Sequence, residues 1–201
     1  MVEDMEKTVR EQILASATRL FADKGFAGVS LRDVAQTSGV DESELVKLFG
    51  NEEKLYEAVL EPQFSHYATS LGVAFEGSDR PVTKVELFAR AFCDLHKQVP
   101  YFFPLFYREL LNPSLYFESI VMKNIRHVAY MSDNNFAKGI QKGSFSHGVN
   151  PANATMIMVG MFHYFILANR LVGSLLPENI NDEEFFSQAL KVFLNGLKKG
   201  E

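Results

Sequence analysis

The chain has 201 residues, 47% of them hydrophobic and 22% charged, which is ordinary for a soluble globular protein of one or two domains. The formal net charge of −5 is weak evidence against nucleic acid as a partner. Whole-chain charge is a poor guide, however, because a small DNA-reading face can lie on an acidic protein. The single cysteine, Cys93, excludes an internal disulfide, and no Cys/His spacing is typical of a metal site. We therefore expect a cytoplasmic protein without a metal or another cofactor.

Glycines and prolines divide the chain into helical segments, and no stretch alternates as a β-strand does. Residues 8–49 read as three short helices. The second begins with Ser30 and Asp33, a Ser-x-x-Asp helix start. Asp41, followed three residues later by Glu44, predicts a second capping box at the start of the third helix.

A longer helix begins near Glu52, and Pro62 inside it should bend it because proline removes a backbone hydrogen bond. The apolar stretch 156–168 is too short for a membrane span, which needs about 20 residues. Helical patterns resume at 82–98, 100–111, 114–142, 151–176 and 183–199. The pattern predicts an all-α fold.

The segment 30–49 carries the most specific signal. Its two short helices are joined by Ser38-Gly39-Val40, the arrangement of a helix-turn-helix whose second helix enters the DNA major groove. Residues 9–55 resemble the DNA-binding domain of the tetracycline-repressor (TetR) family. The matching elements are Ile13-Leu14-x-x-Ala17, Leu20-Phe21, Lys24-Gly25-Phe26, Val29 to Ala35, Ser38-Gly39-Val40, Leu45, Phe49 and Asn51-x-Glu53-x-Leu55.

This resemblance implies a helix-turn-helix DNA-binding domain over residues 1–51 and a helical ligand-binding and dimerisation domain over 52–201. It also implies a transcriptional repressor that binds operator DNA as a homodimer and is released by a small effector. An effector would shift the population towards a state in which the helix bent at Pro62 repositions the DNA-binding domain.

The recognition helix departs from the family pattern. It starts with Asp41-Glu42-Ser43, and the common lysine before Glu53 is Glu52. Residues 1–61 carry seven Lys/Arg and thirteen Asp/Glu. The candidate DNA contacts are Ser30, Arg32, Thr37, Glu42, Ser43, Glu44, Lys47 and Lys54. The alternative for Arg32 and Lys54 is a solvated helix face, and the alternative for Glu44 is a capping role at the start of its helix. The acidic helix also leaves open a ligand- or protein-binding module with weak or lost DNA recognition.

The middle helices hold most of the 18 phenylalanines and 7 tyrosines. In the family this region encloses the effector pocket, so the resemblance implies an apolar or aromatic small molecule as the effector. Core packing is the alternative for each aromatic residue. The candidate ligand-binding residues are Phe92, His96, Phe103, Tyr107, Phe117, Asn124, His127, Met131 and Phe162.

The last two helices are apolar over so wide an arc that each needs two packing partners. A four-helix bundle between two subunits would supply them, and packing inside one subunit is the alternative. The candidate interface residues are Met156, Gly160, His163, Leu167, Phe186, Leu190, Phe193 and Leu197, with a second stripe at Phe185, Ala189, Val192 and Gly196. An enzyme is not expected, because Cys93 and His96 one turn apart are the nearest approach to a catalytic pair.

Overall fold

The computed structural model describes residues 2–172 and 181–198. Over these residues the chain forms nine α-helices and no strand, so the predicted all-α class is confirmed. A 3₁₀ turn (Phe26–Gly28) follows α1, and a π-helical turn (Phe117–Met122) leads into α7. The helices are α1 (Val2–Lys24), α2 (Leu31–Ser38), α3 (Glu42–Phe49), α4 (Glu52–Glu76), α5 (Pro81–Gln98), α6 (Phe102–Leu111), α7 (Lys123–Gln141), α8 (Pro151–Val172) and α9 (Asp182–Gly196).

The helix predicted over 114–142 differs from the structure at its start, where a π-helical turn at Phe117–Met122 precedes the α-helix that begins at Lys123. After the end of α6 the chain makes one π-helical turn before α7 takes up the regular pattern. Helix α4 runs through Pro62 without ending there. The predicted continuations to residues 176 and 199 lie outside the described residues.

One compact unit contains the described residues up to His66 together with Val99–Lys123. In it α1 packs against α2 and α6, and α2 packs against α3. The core side chains Ile13, Val34, Leu45 and Leu55 are fully buried. Burying one such side chain stabilises a fold by about 1.5–3 kcal/mol, so the unit depends on these contacts rather than on helix propensity.

The second compact unit contains Tyr67–Gln98 and the described residues from Asn124 onwards. Helix α9 packs against α5 and α8 in this unit. Its core is a stack of phenylalanine rings in which Phe162 lies 5.5 Å from Phe92 and 4.9 Å from Phe186, between ring centroids. A second aromatic contact joins Phe136 to Phe193 at 5.9 Å.

Helix α8 is the one helix of the described residues that is long and apolar enough to cross a bilayer, over Pro151–Asn169. Length and composition alone are weak grounds for a membrane span, because a core helix of a soluble protein meets the same criterion. Ala154, Met158 and Phe162 on this helix are buried by the chain itself.

Candidate DNA-binding face and effector domain

The helix-turn-helix is built by two local devices. At the start of α2, the Ser30 hydroxyl accepts a hydrogen bond from the Asp33 N–H at 3.2 Å, and the Asp33 carboxylate accepts one from the Ser30 N–H at 2.9 Å. This is the predicted capping box, and the bonds from Ser30 lower the pKa of Asp33. At the end of α2, Gly39 adopts the left-handed conformation, φ 71°, that permits the tight turn into α3.

The second predicted capping box is wrong. Asp41 is the residue before α3, but its side chain makes no cap hydrogen bond. The Glu44 carboxylate instead accepts a hydrogen bond from the Lys47 ammonium at 3.4 Å, because these residues lie one turn apart on the same helix face. The turn is held from α1, where the Gln12 side chain donates to the Ser38 carbonyl at 2.6 Å.

The candidate DNA contacts lie on α2, α3 and the first turn of α4. All are exposed except Glu44, which is half-buried. The Thr37 hydroxyl donates to the Asp33 carbonyl at 2.8 Å, and the Lys54 ammonium donates to Glu57 at 2.6 Å. The exposed candidates are Ser30, Arg32, Thr37, Glu42, Ser43, Lys47 and Lys54.

Carboxylates surround the cation of the recognition helix. The Lys47 ammonium lies 3.4 Å from Glu44 and 3.6 Å from Glu6 of α1, and the hydrogen bond to Glu44 raises the pKa of Lys47. Glu52, at the position where the family commonly has lysine, accepts a hydrogen bond from the Leu31 N–H at 3.3 Å. A phosphate that approached the first turn of α2 would therefore meet a carboxylate already bound there.

The candidate ligand-binding residues divide between the two compact units, with Phe103, Tyr107 and Phe117 in the first and the other six in the second. In the first unit Phe103 lies 6.3 Å from Tyr107, between ring centroids, and burial raises the pKa of Tyr107. In the second unit Phe92 and Phe162 are fully buried. His96, Asn124 and Met131 are half-buried, and His127 is exposed.

A groove between α5 and α9 encloses about 560 Å³. Its wall includes Phe186, which the sequence predicts at a subunit interface, and none of the nine candidate ligand-binding residues is part of it. His96 lies beside α9, 3.9 Å from Asp182, and burial lowers its pKa. The lining residues are Glu86, Ala89, Arg90, Cys93, Asp94, Glu183, Phe186, Ser187 and Leu190.

The structure changes the surface that α9 offers to a partner. Phe186 and Phe193 of α9, and Leu197 directly after it, are predicted at the interface but are buried inside their own chain. The rings of the two phenylalanines pack on α5, α7 and α8, so little of them is left for a second subunit. In the adjacent stripe Val192 is 73% exposed and Gly196 is exposed as well, whereas Phe185 and Ala189 are half-buried and Phe185 stacks on Phe165 of α8 at 4.0 Å between ring centroids.

The outward face of α8 is also apolar. Met156 and Tyr164 are 74% and 72% exposed, Ile157 is 59% exposed, and a Cβ at Gly160 would meet no atom within 4 Å. Of the predicted α8 interface residues, Met156 and Gly160 are exposed, whereas His163 and Leu167 are half-buried. His163 packs against Phe92 at 5.1 Å, between ring centroids, and burial lowers its pKa to about 4.

Sequence reasoning missed Gln63 on α4. Its side-chain oxygen is buried and has no hydrogen-bond partner among the described residues. A buried amide oxygen without a donor is unfavourable, so a donor on a bound molecule would stabilise this position. The residue lies between Pro62 and Phe64, and its neighbours Glu61, Ser65 and His66 are polar as well, so the local sequence carried no signal for it.

The comparisons with known proteins agree with this architecture. A profile of the family described as "Bacterial regulatory proteins, tetR family" matches residues 13–59. The HTH-type transcriptional regulator RutR of Escherichia coli (strain K12) is 23% identical over 194 residues, which cover 94% of this chain and 90% of RutR.

Solved structures share the fold along nearly the whole chain. The ketosteroid transcriptional regulator KstR2 of Mycobacterium tuberculosis superimposes with a TM-score of 0.78 at 16% identity, covering 95% of each chain. The regulator AibR, solved with isovaleryl coenzyme A and operator DNA, superimposes with a TM-score of 0.76 at 16% identity, covering 92% of this chain and 97% of AibR. The helix-turn-helix lies within the matched residues, so this part of the chain is a helix-turn-helix domain of the tetR family, and the all-α fold beyond it is the fold of these solved regulators.

Proposed function

We propose that the protein is a homodimeric repressor that binds operator DNA through the helix-turn-helix and releases it when an apolar or aromatic small molecule binds the helical domain. The observation that carries this proposal is the capped α2, the left-handed turn at Gly39 and the solvent-exposed face of α3. In this function residues 1–51 form the DNA-binding domain and residues 52–201 the ligand-binding and dimerisation domain. The protein acts in the cytoplasm and catalyses no reaction.

The candidate DNA contacts divide into two kinds. The residues proposed to contact phosphates, which fix the position of the DNA-binding domain on the duplex, are Ser30, Arg32, Thr37, Lys47 and Lys54. Glu42, Ser43, Glu44 and Lys47 lie on the recognition helix and face base edges, where an acidic side chain accepts a hydrogen bond from the cytosine amino group.

The dimer supplies the second recognition helix that specificity needs. Exposed apolar side chains on α8 and α9 support this arrangement, since contiguous apolar surface marks an interaction site. We therefore place the subunit contact on the outward faces of α8 and α9 and exclude from it the buried Phe186, Phe193 and Leu197. The residues proposed for the contact are Met156, Ile157, Gly160, Tyr164, Val192 and Gly196.

The effector proposal rests on the aromatic content of the helical domain. In the first compact unit Phe103 and the half-buried Tyr107 offer rings, and Gln63 offers an unpartnered oxygen to a donor group. In the second unit, taken by itself, Phe92 and Phe162 offer rings. KstR2 is named for ketosteroids and AibR was solved with an acyl-coenzyme A, both molecules with a large apolar part. Such an effector shifts the equilibrium only by the difference between its affinities for the two states.

One observation favours a second function, a helical ligand- or protein-binding module with weak DNA recognition. Lys47 is paired with Glu44 and Glu6, and Glu52 lies at the start of α2. These carboxylates repel phosphates from the face that would have to bind them.

A mobility-shift titration of the purified chain against genomic fragments distinguishes the two functions. If the chain is a DNA-binding repressor, discrete fragments shift and the affinity falls linearly with salt on logarithmic axes, because phosphate contacts release counterions. Isovaleryl coenzyme A and a ketosteroid serve as first effector probes on the fragment that binds best. The absence of any selected fragment at low salt would favour the second function.

A further inference from the structure

The recognition helix α3 carries one apolar side chain on its solvent-exposed face. The structure describes α2 and α3 in full, and within them Val46 is the one large apolar residue that is exposed, at 48%. The remaining apolar residues of α3 face the core, since Leu45 is fully buried, Phe49 is 8% exposed and Leu48 is half-buried. Val46 therefore contributes little to the packing that holds α3 in place.

Helical geometry places Val46 in the middle of that exposed face. At about 100° per residue, Val46 lies between Glu42 and Ser43 around the helix axis and one turn further along it. All three residues are exposed, whereas the half-buried Leu48 lies on the opposite side of the helix. An orientation of α3 that turns Glu42 and Ser43 towards the base edges of a major groove therefore turns Val46 towards them as well.

The charged neighbours of Val46 leave its methyl groups accessible. The ammonium nitrogen of Lys47, the next residue, lies 3.4 Å from a carboxylate oxygen of Glu44 and 3.6 Å from one of Glu6 on α1. Glu44 and Val46 lie on opposite sides of Lys47 around the helix, so the lysine side chain extends away from the valine. Val46 thus presents apolar surface at the centre of a face that is otherwise polar.

Thymine is the base that an apolar side chain can read in a major groove. Its C5 methyl is the apolar group that the base edges present there, beside the hydrogen-bond donors and acceptors of the four bases. Packing this methyl against a valine removes apolar surface of both from water, which is favourable. At another base the same valine would take water from a donor or an acceptor without replacing its hydrogen bond, which is unfavourable. Val46 therefore favours thymine over each of the other bases.

We propose that Val46 is a specificity-determining residue that contacts the C5 methyl of one thymine in each half-site of the operator. The contact reads a base and so selects a sequence, whereas the phosphate contacts proposed for Arg32 and Lys54 position the domain on any duplex. It also needs no positive charge, which suits a recognition helix whose first turn is acidic. This inference rests on the proposed function, since it assumes that α3 of each subunit enters a major groove.

The experiment removes the methyl groups from each side of the contact in turn. The full-length wild-type chain first selects a two-half-site duplex from random-sequence DNA. Each thymine position is then replaced by uracil in both half-sites, one position per duplex, because uracil pairs as thymine does and lacks the C5 methyl. Val46→Ala removes the valine methyls, and Val73→Ala is the matched control at a 58% exposed valine of α4. Fluorescence anisotropy measures the affinity of each chain for each duplex, and thermal unfolding checks that each variant folds.

The contact predicts a loss that depends on both partners. At one thymine position the wild type should lose about 15-fold in affinity, which is about fourfold for the methyl of each half-site. Val46→Ala should bind the thymine and the uracil forms of that duplex with affinities within about twofold of each other, because its partner for the methyl is missing. Val73→Ala should show the wild-type loss.

Three results would overturn the proposal: a selected half-site without thymine, no loss at any uracil position, or an equal loss for the wild type and Val46→Ala at every position. In each of these results the wild type still binds its selected duplex, so the proposed function stands. A wild-type chain that selects no duplex contradicts the proposed function itself, and this inference fails with it.

Discussion

The outward face of α9 gives the sharpest prediction. Val192 is 73% exposed in the isolated chain, and a Cβ at Gly196, one turn further on, would meet no atom within 4 Å. Val192→Glu should therefore leave the folded subunit intact, because a carboxylate at such a position is solvated and changes stability by no more than about 0.5 kcal/mol.

The same change should break the dimer. If Val192 lies in the subunit contact, the new carboxylate loses its water without gaining a partner, which costs several kcal/mol. The two-fold axis places the substitution in the contact twice. A cost of about 2.7 kcal/mol already weakens the dissociation constant about 100-fold, so we expect a monomer at micromolar concentration.

Sedimentation equilibrium measures the effect, with Val73→Glu as the matched control. Val73 on α4 is 58% exposed, so the control adds the same charge to an outward valine outside the proposed contact. We expect Val192→Glu to be monomeric with the helical circular dichroism of wild type, and Val73→Glu to be dimeric and to melt as wild type does. A Val192→Glu dimer with wild-type affinity, or equal dissociation of both variants, would refute the placement of the interface.

Three further predictions concern DNA, pH and packing. Lys47→Gln should reduce the slope of log affinity against log salt concentration by about 0.9 for each subunit that loses a phosphate contact. Lys138→Gln on α7, the control, should leave the slope unchanged. Equal slopes for the two variants would show that Lys47 contacts no phosphate. Burial lowers the pKa of His163 to about 4 in the folded chain, whereas the value in the unfolded chain is about 6.5. Between these two pH values the unfolded state binds more protons than the folded state. The free energy of unfolding therefore falls as the pH drops from 6.5 towards 4. Urea unfolding of His163→Gln at pH 7 and pH 5 should show a smaller loss than wild type, and an identical loss would contradict the burial of a neutral imidazole. Gly139→Ala should destabilise by about 1–3 kcal/mol in thermal unfolding because its Cβ would lie 2.2 Å from the buried Phe145 ring. Gly72→Ala, whose Cβ would meet Met131 at an ordinary 3.5 Å, should be neutral or slightly stabilising, and equal effects at the two glycines would count against this packing.

Local chemistry explains why the sequence predicted the helix-turn-helix so closely. Ser30 and Asp33 need only each other to form a capping box, and Gly39 needs only its own backbone to enter the left-handed region. The second box failed because Glu44 had another partner within one turn, Lys47, and the spacing alone does not rank the two.

Long-range packing explains what the sequence left undecided. On α9 two apolar stripes stand side by side, and only the contacts of Phe186 with α5 and α8 and of Phe193 with α7 determine which stripe is internal. Arg108 and Glu109 bind partners 86 and 53 residues away along the chain, so no local pattern names those partners. In the sequence, the signal for these contacts was a pair of adjacent charged residues inside the otherwise apolar segment that forms α6.

The central claim is that two recognition helices enter neighbouring major grooves from one side of a duplex. Pulsed electron-spin measurements on Asp41→Cys in a Cys93→Ala background test it, because Asp41 is exposed at the start of α3, makes no cap hydrogen bond and is not a candidate DNA contact, and the native cysteine is removed. In the complex with a selected duplex we expect one distance near 34–36 Å, the spacing of successive major grooves, within the length of the label. A single spin per particle, or a distance far from one helical repeat, would contradict the account.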